Sequence, residues 1–179
     1  MHSLWTRLHA IFACTLSALT AMTFAFFLST AFNNYSTDVK LGTGMVVVKS
    51  VPDYTVSRDE LDLGVITFDI NANLTEVFNW NVKQLFIYLA AEYETKDNKV
   101  NQVVLWDRIV QRGQNPVLKM SNLHSKYYFW DDGRGLRDVP VKLSLNWNVI
   151  PNAGMLPIFA GLGSHTFKFP VEYSKTARP

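Results

Sequence analysis

The feature that most constrains this chain is an apolar run of 22 residues, from Ile11 to Phe32, without Asp, Glu, Lys or Arg. As an α-helix with a rise of about 1.5 Å per residue, the run would be roughly 33 Å long, enough to cross the hydrocarbon core of a bilayer. Its polar members are Ser, Thr and Cys, whose side chains can bond to helix carbonyls and are tolerated in lipid. The run predicts a single N-terminal transmembrane helix.

A cleaved signal peptide is the main alternative for this run. Arg7 supplies a short positive region, and Ser29, Thr30 and Ala31 fit the small-residue rule for cleavage. The apolar part of a signal peptide is typically about 7–15 residues long, however, and this run is longer. A buried core helix is disfavoured because no charged face interrupts the run. We therefore expect a retained signal-anchor.

The charges that flank the run favour a cytosolic N-terminus. The N-terminal tail carries Arg7 and the α-amino group without any acid, whereas Asp38 and Lys40 follow the run. By the positive-inside rule, this predicts a cytosolic tail at 1–10, an anchor at 11–32 and a lumenal domain at 33–179.

Composition limits the chemistry of the predicted domain. The one cysteine, Cys14, lies in the apolar run, so the domain has neither a disulfide nor a zinc site built on cysteines. The net charge of +2 comes from 17 basic and 15 acidic residues that are interspersed along the chain. Nothing in this balance suggests a nucleic-acid partner.

The pattern of the remaining chain is typical of β-strands. Polar and apolar residues alternate over 66–74 and 141–149, with the period of two expected of strands that bury one face. Further runs rich in β-branched or aromatic residues cover 45–48, 82–93, 103–110 and 126–130. Turn sequences separate these runs, a short helical turn is expected within 74–79, and the tail from 173 onward is expected to fray. The fold class predicted is mainly β, with an antiparallel β-sandwich after the anchor.

Candidate catalytic and metal-binding residues are few. His124 precedes Ser125 and His165 follows Ser164, but successive residues on a strand point to opposite faces, which is awkward for a Ser-His pair. The segment after Asp131 lacks the remaining ligands of a calcium loop and is better explained as a hairpin turn. We predict no catalytic residue, no metal and no cofactor.

Two sequons for N-glycosylation occur, at Asn34 and at Asn73. Asn34 lies about two residues from the expected membrane edge, where a lumenal transferase could hardly reach it. Asn73 lies on the polar face of a predicted strand and is the candidate acceptor.

Aromatic residues are abundant, and most are explained by core filling. Two runs, 86–89 and 127–130, nevertheless place apolar groups on both faces of a strand, whereas a single sandwich buries only one face. The expected partner-interface residues are Phe86, Tyr88, Tyr127, Phe129 and Trp130.

Several longer motifs resemble a known family, the glycoprotein-subunit (subunit 3) family of the endoplasmic reticulum signal peptidase complex. The resemblance covers essentially the whole chain, and the motifs that carry it are Phe68-Asp69-Ile70, Phe78-Asn79-Trp80-Asn81-Val82-Lys83-Gln84-Leu85-Phe86, Asn101-Gln102-Val103-Val104-Leu105-Trp106-Asp107, Phe129-Trp130-Asp131-Asp132-Gly133 and Trp147-Asn148-Val149-Ile150-Pro151-Asn152-Ala153-Gly154. It departs from the family where the usual sequon would lie, because Asp138-Val139-Pro140-Val141 contains no asparagine.

The resemblance implies a single-pass type II protein of the endoplasmic reticulum membrane. It implies a non-catalytic subunit that stabilises and positions the catalytic subunit of a serine-type peptidase, which removes signal peptides from nascent proteins. The expected partners are that catalytic subunit, the other small membrane subunits and the lipid bilayer. Two alternatives are a stand-alone membrane-anchored hydrolase and a lumenal binding module for glycans or peptides.

Overall fold

A computed structural model describes residues 3–52, 60–96, 98–131 and 133–174. It begins with helix α1 (Leu4–Ala31), whose first turn is capped by the Ser3 side chain, which accepts a hydrogen bond from the Thr6 N–H at 3.2 Å. The helix therefore starts seven residues before the apolar run. By length and composition it could cross a membrane, and none of its apolar window is buried against the rest of the chain.

The hydroxyls of α1 bond back to the helix, as the sequence predicted. Ser17, Thr20 and Thr23 each donate to the carbonyl four residues earlier, at 2.8, 2.9 and 2.8 Å. Each polar side chain is thereby satisfied within the helix, which lowers the cost of placing it in an apolar medium.

Eight strands follow α1 in the described part of the chain, and the predicted mainly-β, antiparallel architecture is confirmed. They are β1 (Val39–Pro52), β2 (Glu60–Asn73), β3 (Val82–Tyr93), β4 (Asn101–Gln111), β5 (Val117–His124), β6 (Phe129–Trp130), β7 (Pro140–Pro151) and β8 (Ile158–Lys168). The expected helical turn is a 3₁₀ turn at Thr75–Val77. The strands β5 and β8 were not predicted.

The strands form two antiparallel sheets around one core. The first sheet has the order β1-β2-β5, with the short β6 also paired to β2, and the second has the order β4-β3-β7-β8. Trp147, Phe68 and Phe129 are the largest fully buried side chains between the sheets. The Trp147 indole N–H donates to the Tyr35 carbonyl at 3.0 Å, so its polar group is satisfied inside the core.

Backbone hydrogen bonds connect the two sheets at both sides. On one side, the Leu162 N–H of β8 donates to the Thr37 carbonyl at 2.9 Å, just before β1. On the other side, the N–H groups of Lys126 and Tyr127 both donate to the Leu105 carbonyl of β4, at 2.8 and 3.1 Å. These links fix the two sheets relative to each other.

The C-terminal segment contradicts the expectation of fraying at its first residues. The Tyr173 hydroxyl donates to the buried Asp62 carboxylate at 2.8 Å, and the Ser174 N–H donates to the Val48 carbonyl at 2.9 Å. Burial, together with the hydrogen bond to Asp62, raises the pKa of Tyr173. The remainder of the expected tail, 175–179, lies outside the described residues.

The end of α1 is attached to the sandwich through Asn81. This buried side chain donates to the Thr30 hydroxyl at 2.8 Å and to the Ala153 carbonyl at 2.9 Å, and its oxygen accepts from the Ala153 N–H at 3.1 Å. Tyr35 adds a second link, because its hydroxyl donates to the Thr30 carbonyl and accepts from Asn79 at 2.8 Å. The last turns of the helix are therefore held against the sandwich rather than joined to it by a loose tether.

Candidate partner interface

Two of the predicted interface residues lie side by side on the outer face of the second sheet. Phe86 and Tyr88 alternate along β3 with Leu85 and Ile87, which are fully buried. Because alternate residues of a strand point to opposite faces, Phe86 and Tyr88 face away from the core. Their rings stack with centroids 5.8 Å apart.

Neighbouring strands extend this aromatic pair into a patch. Ile109 of β4 and Asn148 of β7 lie opposite Phe86 from its two sides, and Ile158 of β8 lies opposite Asn148. Ile109 is 50% exposed and Ile158 is 64% exposed. We call Phe86, Tyr88, Ile109, Asn148 and Ile158 the second-sheet patch.

Asn148 gives the patch an unsatisfied acceptor. Its Oδ1 atom is buried and has no hydrogen-bond partner within the described part of the chain. Buried polar atoms are almost always hydrogen-bonded, so this atom calls for an explanation. Because the atom has almost no accessible surface, a molecule packed on the patch could not bond to it unless the surrounding side chains moved.

A hydrogen-bonded charge cluster borders the patch beside Tyr88. Asp107 of β4 lies opposite Tyr88 and accepts from Lys126 Nζ at 2.6 Å and from the Tyr127 hydroxyl at 2.8 Å. The hydrogen bond from Lys126, followed by that from Tyr127, lowers the pKa of Asp107, and the bond to Asp107 raises the pKa of Lys126. The structure thus brings Tyr127, which is 44% exposed, next to the second-sheet patch.

The other two predicted interface residues lie elsewhere. Phe129 is fully buried, with its ring packed against those of Tyr93 and Phe169 at 5.5 and 5.4 Å. It belongs to the core, and a partner could not reach its side chain. Trp130 is 36% exposed and lies opposite Leu63 on the outer face of the first sheet. The aromatic run 127–130 is therefore divided between three environments.

The candidate glycosylation site lies at the end of β2. Asn73 is exposed, and its side-chain oxygen accepts from the N–H and the hydroxyl of Thr75 at 3.1 and 2.6 Å. The sequon threonine is thus held against the acceptor asparagine. Asn34 is also exposed, but it lies three residues after the end of α1.

His165 does not form a nucleophile-base pair with its neighbouring serine, Ser164. Ser164 and His165 lie opposite Ser144 and Leu143 of β7, so their side chains point to opposite faces of the sheet. His165 Nε2 instead lies 3.0 Å from the Thr43 hydroxyl. Among the described residues there is no group of three or more metal-ligating side chains.

Asp131 has a structural role in the segment that resembled a metal loop. Its buried carboxylate accepts from the Tyr93 hydroxyl at 2.7 Å and from the Gly135 N–H at 2.8 Å. The prediction of a hairpin turn here is wrong, because β6 belongs to the first sheet and β7 to the second. The chain passes here from the first sheet to the second, and the hydrogen bonds of the buried Asp131 carboxylate stabilise this connection.

Sequence reasoning missed three residues of the second-sheet patch. Asn148 could have been found, because the alternation over 141–149 already placed it on the outer face. Ile109 is found only once β4 is paired with β3. Ile158 belongs to a strand that the sequence pattern did not predict.

Comparisons with known proteins place this chain among signal peptidase subunits. A family model described as "signal peptidase subunit" matches residues 1–172. The chain is 56% identical over 178 residues to signal peptidase complex subunit 3 of Drosophila melanogaster, covering 99% of both chains. It is 49% identical over 177 residues to the Homo sapiens protein of the same name, covering 98% of both. A Mus musculus protein named adipocyte-related X-chromosome expressed sequence 1 is 50% identical over 174 residues, covering 97% of both.

Proposed function

We propose, from the premise that this chain belongs to the signal peptidase subunit family, that its sandwich stabilises and positions the catalytic subunit. The chain is an accessory subunit of the signal peptidase complex. In our proposal the complex cleaves signal peptides from nascent proteins by serine-type chemistry, and the nucleophile belongs to the catalytic partner.

The observation that carries the proposal is the second-sheet patch. It combines a stacked aromatic pair with two exposed isoleucines. Aromatic residues at the centre of an interface, with polar residues around them, are typical of protein–protein contacts. The Asp107 cluster would form part of the polar rim, and Tyr127 extends the apolar surface toward it.

We further propose a type II arrangement in the endoplasmic reticulum membrane. Residues 11–32 would cross the bilayer, 1–10 would lie in the cytosol and 33–179 in the lumen. The long apolar helix and the positive N-terminal tail support this arrangement. Within the membrane, the partners would be the lipid bilayer and the helices of the other small subunits.

The decisive experiment changes the patch without touching the core. Tyr88→Asp would place a carboxylate within the proposed contact, on the side that faces Asp107. We expect the variant to fold, to insert in the membrane and to lose most of the catalytic subunit in affinity capture from gentle detergent.

Tyr128→Asp is the matched control, because Tyr128 is 76% exposed and its ring pairs with Trp130, away from the second-sheet patch. The control should recover the catalytic subunit like the unaltered chain. If Tyr88→Asp were folded and still recovered the full complex, the patch would not be the contact.

We also propose Asn73 as the glycan acceptor of the lumenal domain. Its exposure and its hydrogen bonds to Thr75 support access to the sequon. Endoglycosidase treatment should shift the mobility of the unaltered chain but not that of Asn73→Gln. An equal shift in both would assign the glycan to another residue.

A further inference from the structure

The end of the sandwich that lies next to α1 overlaps the last turns of this helix. The Trp80 ring packs edge-on against Phe26, with centroids 5.5 Å apart. Phe26 precedes the helix end at Ala31 by five residues, which is roughly 7.5 Å along the axis. Trp80 therefore lies alongside residues of the predicted membrane span, not beyond its end.

A second loop reaches the same depth. At Gly154, in the turn after β7, an added Cβ would lie 2.7 Å from Phe27 Cδ2, so the loop backbone lies directly against the helix. The residues that follow, Met155 and Leu156, are 72% and 62% exposed. Two separate loops of the sandwich thus flank the helix within its apolar stretch.

The exposed surface of these loops is uncharged and largely apolar. Trp80 is 54% exposed, and neither 78–81 nor 151–157 contains a charged residue. Leaving this area in water costs about 25 cal/mol for each Å² of apolar surface. Tryptophan is enriched at the boundary between lipid headgroups and hydrocarbon, where its ring meets apolar chains and its N–H meets water.

A cation lies beside the tryptophan turn. The Arg112 guanidinium donates to the carbonyls of Asn79 and Val82, which flank that turn, and the residue is exposed. Arginine at this level suits the phosphate layer of a bilayer, since basic side chains near the ends of a membrane span extend toward the headgroups.

The geometry points to a second membrane contact, in which Trp80, Met155 and Leu156 dip into the headgroup–hydrocarbon boundary beside α1. The occupant is lipid, because the contacts with Phe26 and Phe27 fix these loops at the depth of the helix's own apolar residues. The inference rests on the proposed membrane anchoring. Its consequence is that the height and tilt of the sandwich above the bilayer are fixed by four contacts (the helix and three side chains).

The test uses spin labels on the full chain in phosphatidylcholine vesicles, with Cys14→Ala removing the native thiol. Labels at Met155→Cys and Leu156→Cys should collide with oxygen. They should collide with a water-soluble nickel chelate several-fold less often than a label at Val100→Cys does. Val100 is the matched control, because it is 69% exposed and precedes β4 at the opposite end of the second sheet.

A label at Leu16→Cys, within the anchor, separates this inference from the proposed anchoring. If Leu16 is protected from nickel while Met155 and Leu156 are as accessible as Val100, the anchor crosses the bilayer but the loops do not dip, and the inference is overturned. A protein partner would then be the better candidate to cover them. If Leu16 is also accessible, the proposed anchoring fails first.

Discussion

Single side chains decide how the anchor and the sandwich are joined, and Asn81 is the clearest case. Its amide makes three hydrogen bonds, to the helix end and to the loop after β7, and the residue is only 2% exposed. A buried amide of this kind stabilises the fold because it satisfies polar groups of the helix end and of the loop that are themselves wholly or partly buried.

We expect Asn81→Ala to lower the free energy of unfolding by about 3 kcal/mol, because Thr30 and Ala153 lose their buried partners. Chemical denaturation of the detergent-solubilised chain measures this change. Asn146→Ala is the control, because within the described ranges the Asn146 side chain bonds only to Ser144 of its own strand, and the change should cost far less. Equal losses in the two variants would contradict the assigned role.

The Asp107 cluster predicts a dependence of stability on pH. Because the folded-state pKa of Asp107 is lowered by Lys126 and Tyr127, the cluster stabilises the fold above the ordinary carboxyl value of 3.8. That stabilisation is lost as the pH falls through the lowered folded-state pKa.

The measurement compares denaturation midpoints of the unaltered chain and Asp107→Asn. Their difference should be present at neutral pH and shrink toward zero in acid, with a modest size because the cluster is partly exposed. Tyr127→Phe, which keeps the Lys126 bond, should show a smaller difference. A difference independent of pH would show that Asp107 acts by packing and not by charge.

At the scale of elements, the strands that the sequence predicted are those with clear alternation or β-branched runs. The prediction for β3 (82–93) matches the observed strand, and that for β4 (103–110) lies within it. The strand predicted at 126–130 is observed as the two residues of β6, because the chain there connects the two sheets.

The two missed strands have physical reasons for their weak signals. β8 contains Gly161 and Gly163, and glycine is depleted in strands. β5 carries Asn122, a non-glycine residue with a φ of 54°, together with exposed polar residues. Two of the five residues of the second-sheet patch, Phe86 and Tyr88, were predicted, because they lie on a strand with a strong sequence signal. Ile158 was not, since tertiary contacts rather than local pattern specify β8.

The glycines of β8 have a packing reason. A Cβ at Gly163 would lie 2.0 Å from the Val39 carbonyl oxygen, so the β8 backbone approaches β1 more closely than any side chain allows. We expect Gly163→Val to destabilise the fold by about 3 kcal/mol or more. The new side chain would clash with the Val39 backbone, and moving a flexible side chain could not relieve that clash.

Thermal and chemical unfolding would measure the loss. Gly42→Ala is the control within a strand, since its nearest neighbour is the end of the Asp69 side chain at 3.4 Å. A Gly163→Val chain as stable as the control would mean that β8 does not approach β1 this closely.

At the scale of the whole molecule, the proposed topology makes a prediction for sealed microsomes. A tag before Met1 should be removed by added protease, whereas a tag after Pro179 should be protected until detergent opens the membrane. The reverse pattern would invert the proposed orientation. N-terminal sequencing that began near Phe32 would instead show that the helix is removed as a signal peptide.

The Asn81 junction has a consequence for how the complex assembles. Because the end of α1 is held against the sandwich by the Asn81 bonds and the contact of Phe26 with Trp80, turning the helix about its axis turns the second-sheet patch with it. In the proposed arrangement, a neighbouring subunit that binds the helix within the bilayer would therefore also select the direction in which the patch faces above it. Binding of the helix and binding of the sandwich then depend on the same rotation about the helix axis. The contact that forms first fixes this rotation, so it removes most of the entropy cost of forming the second. Assembly should accordingly be cooperative, with neither contact fully strong without the other.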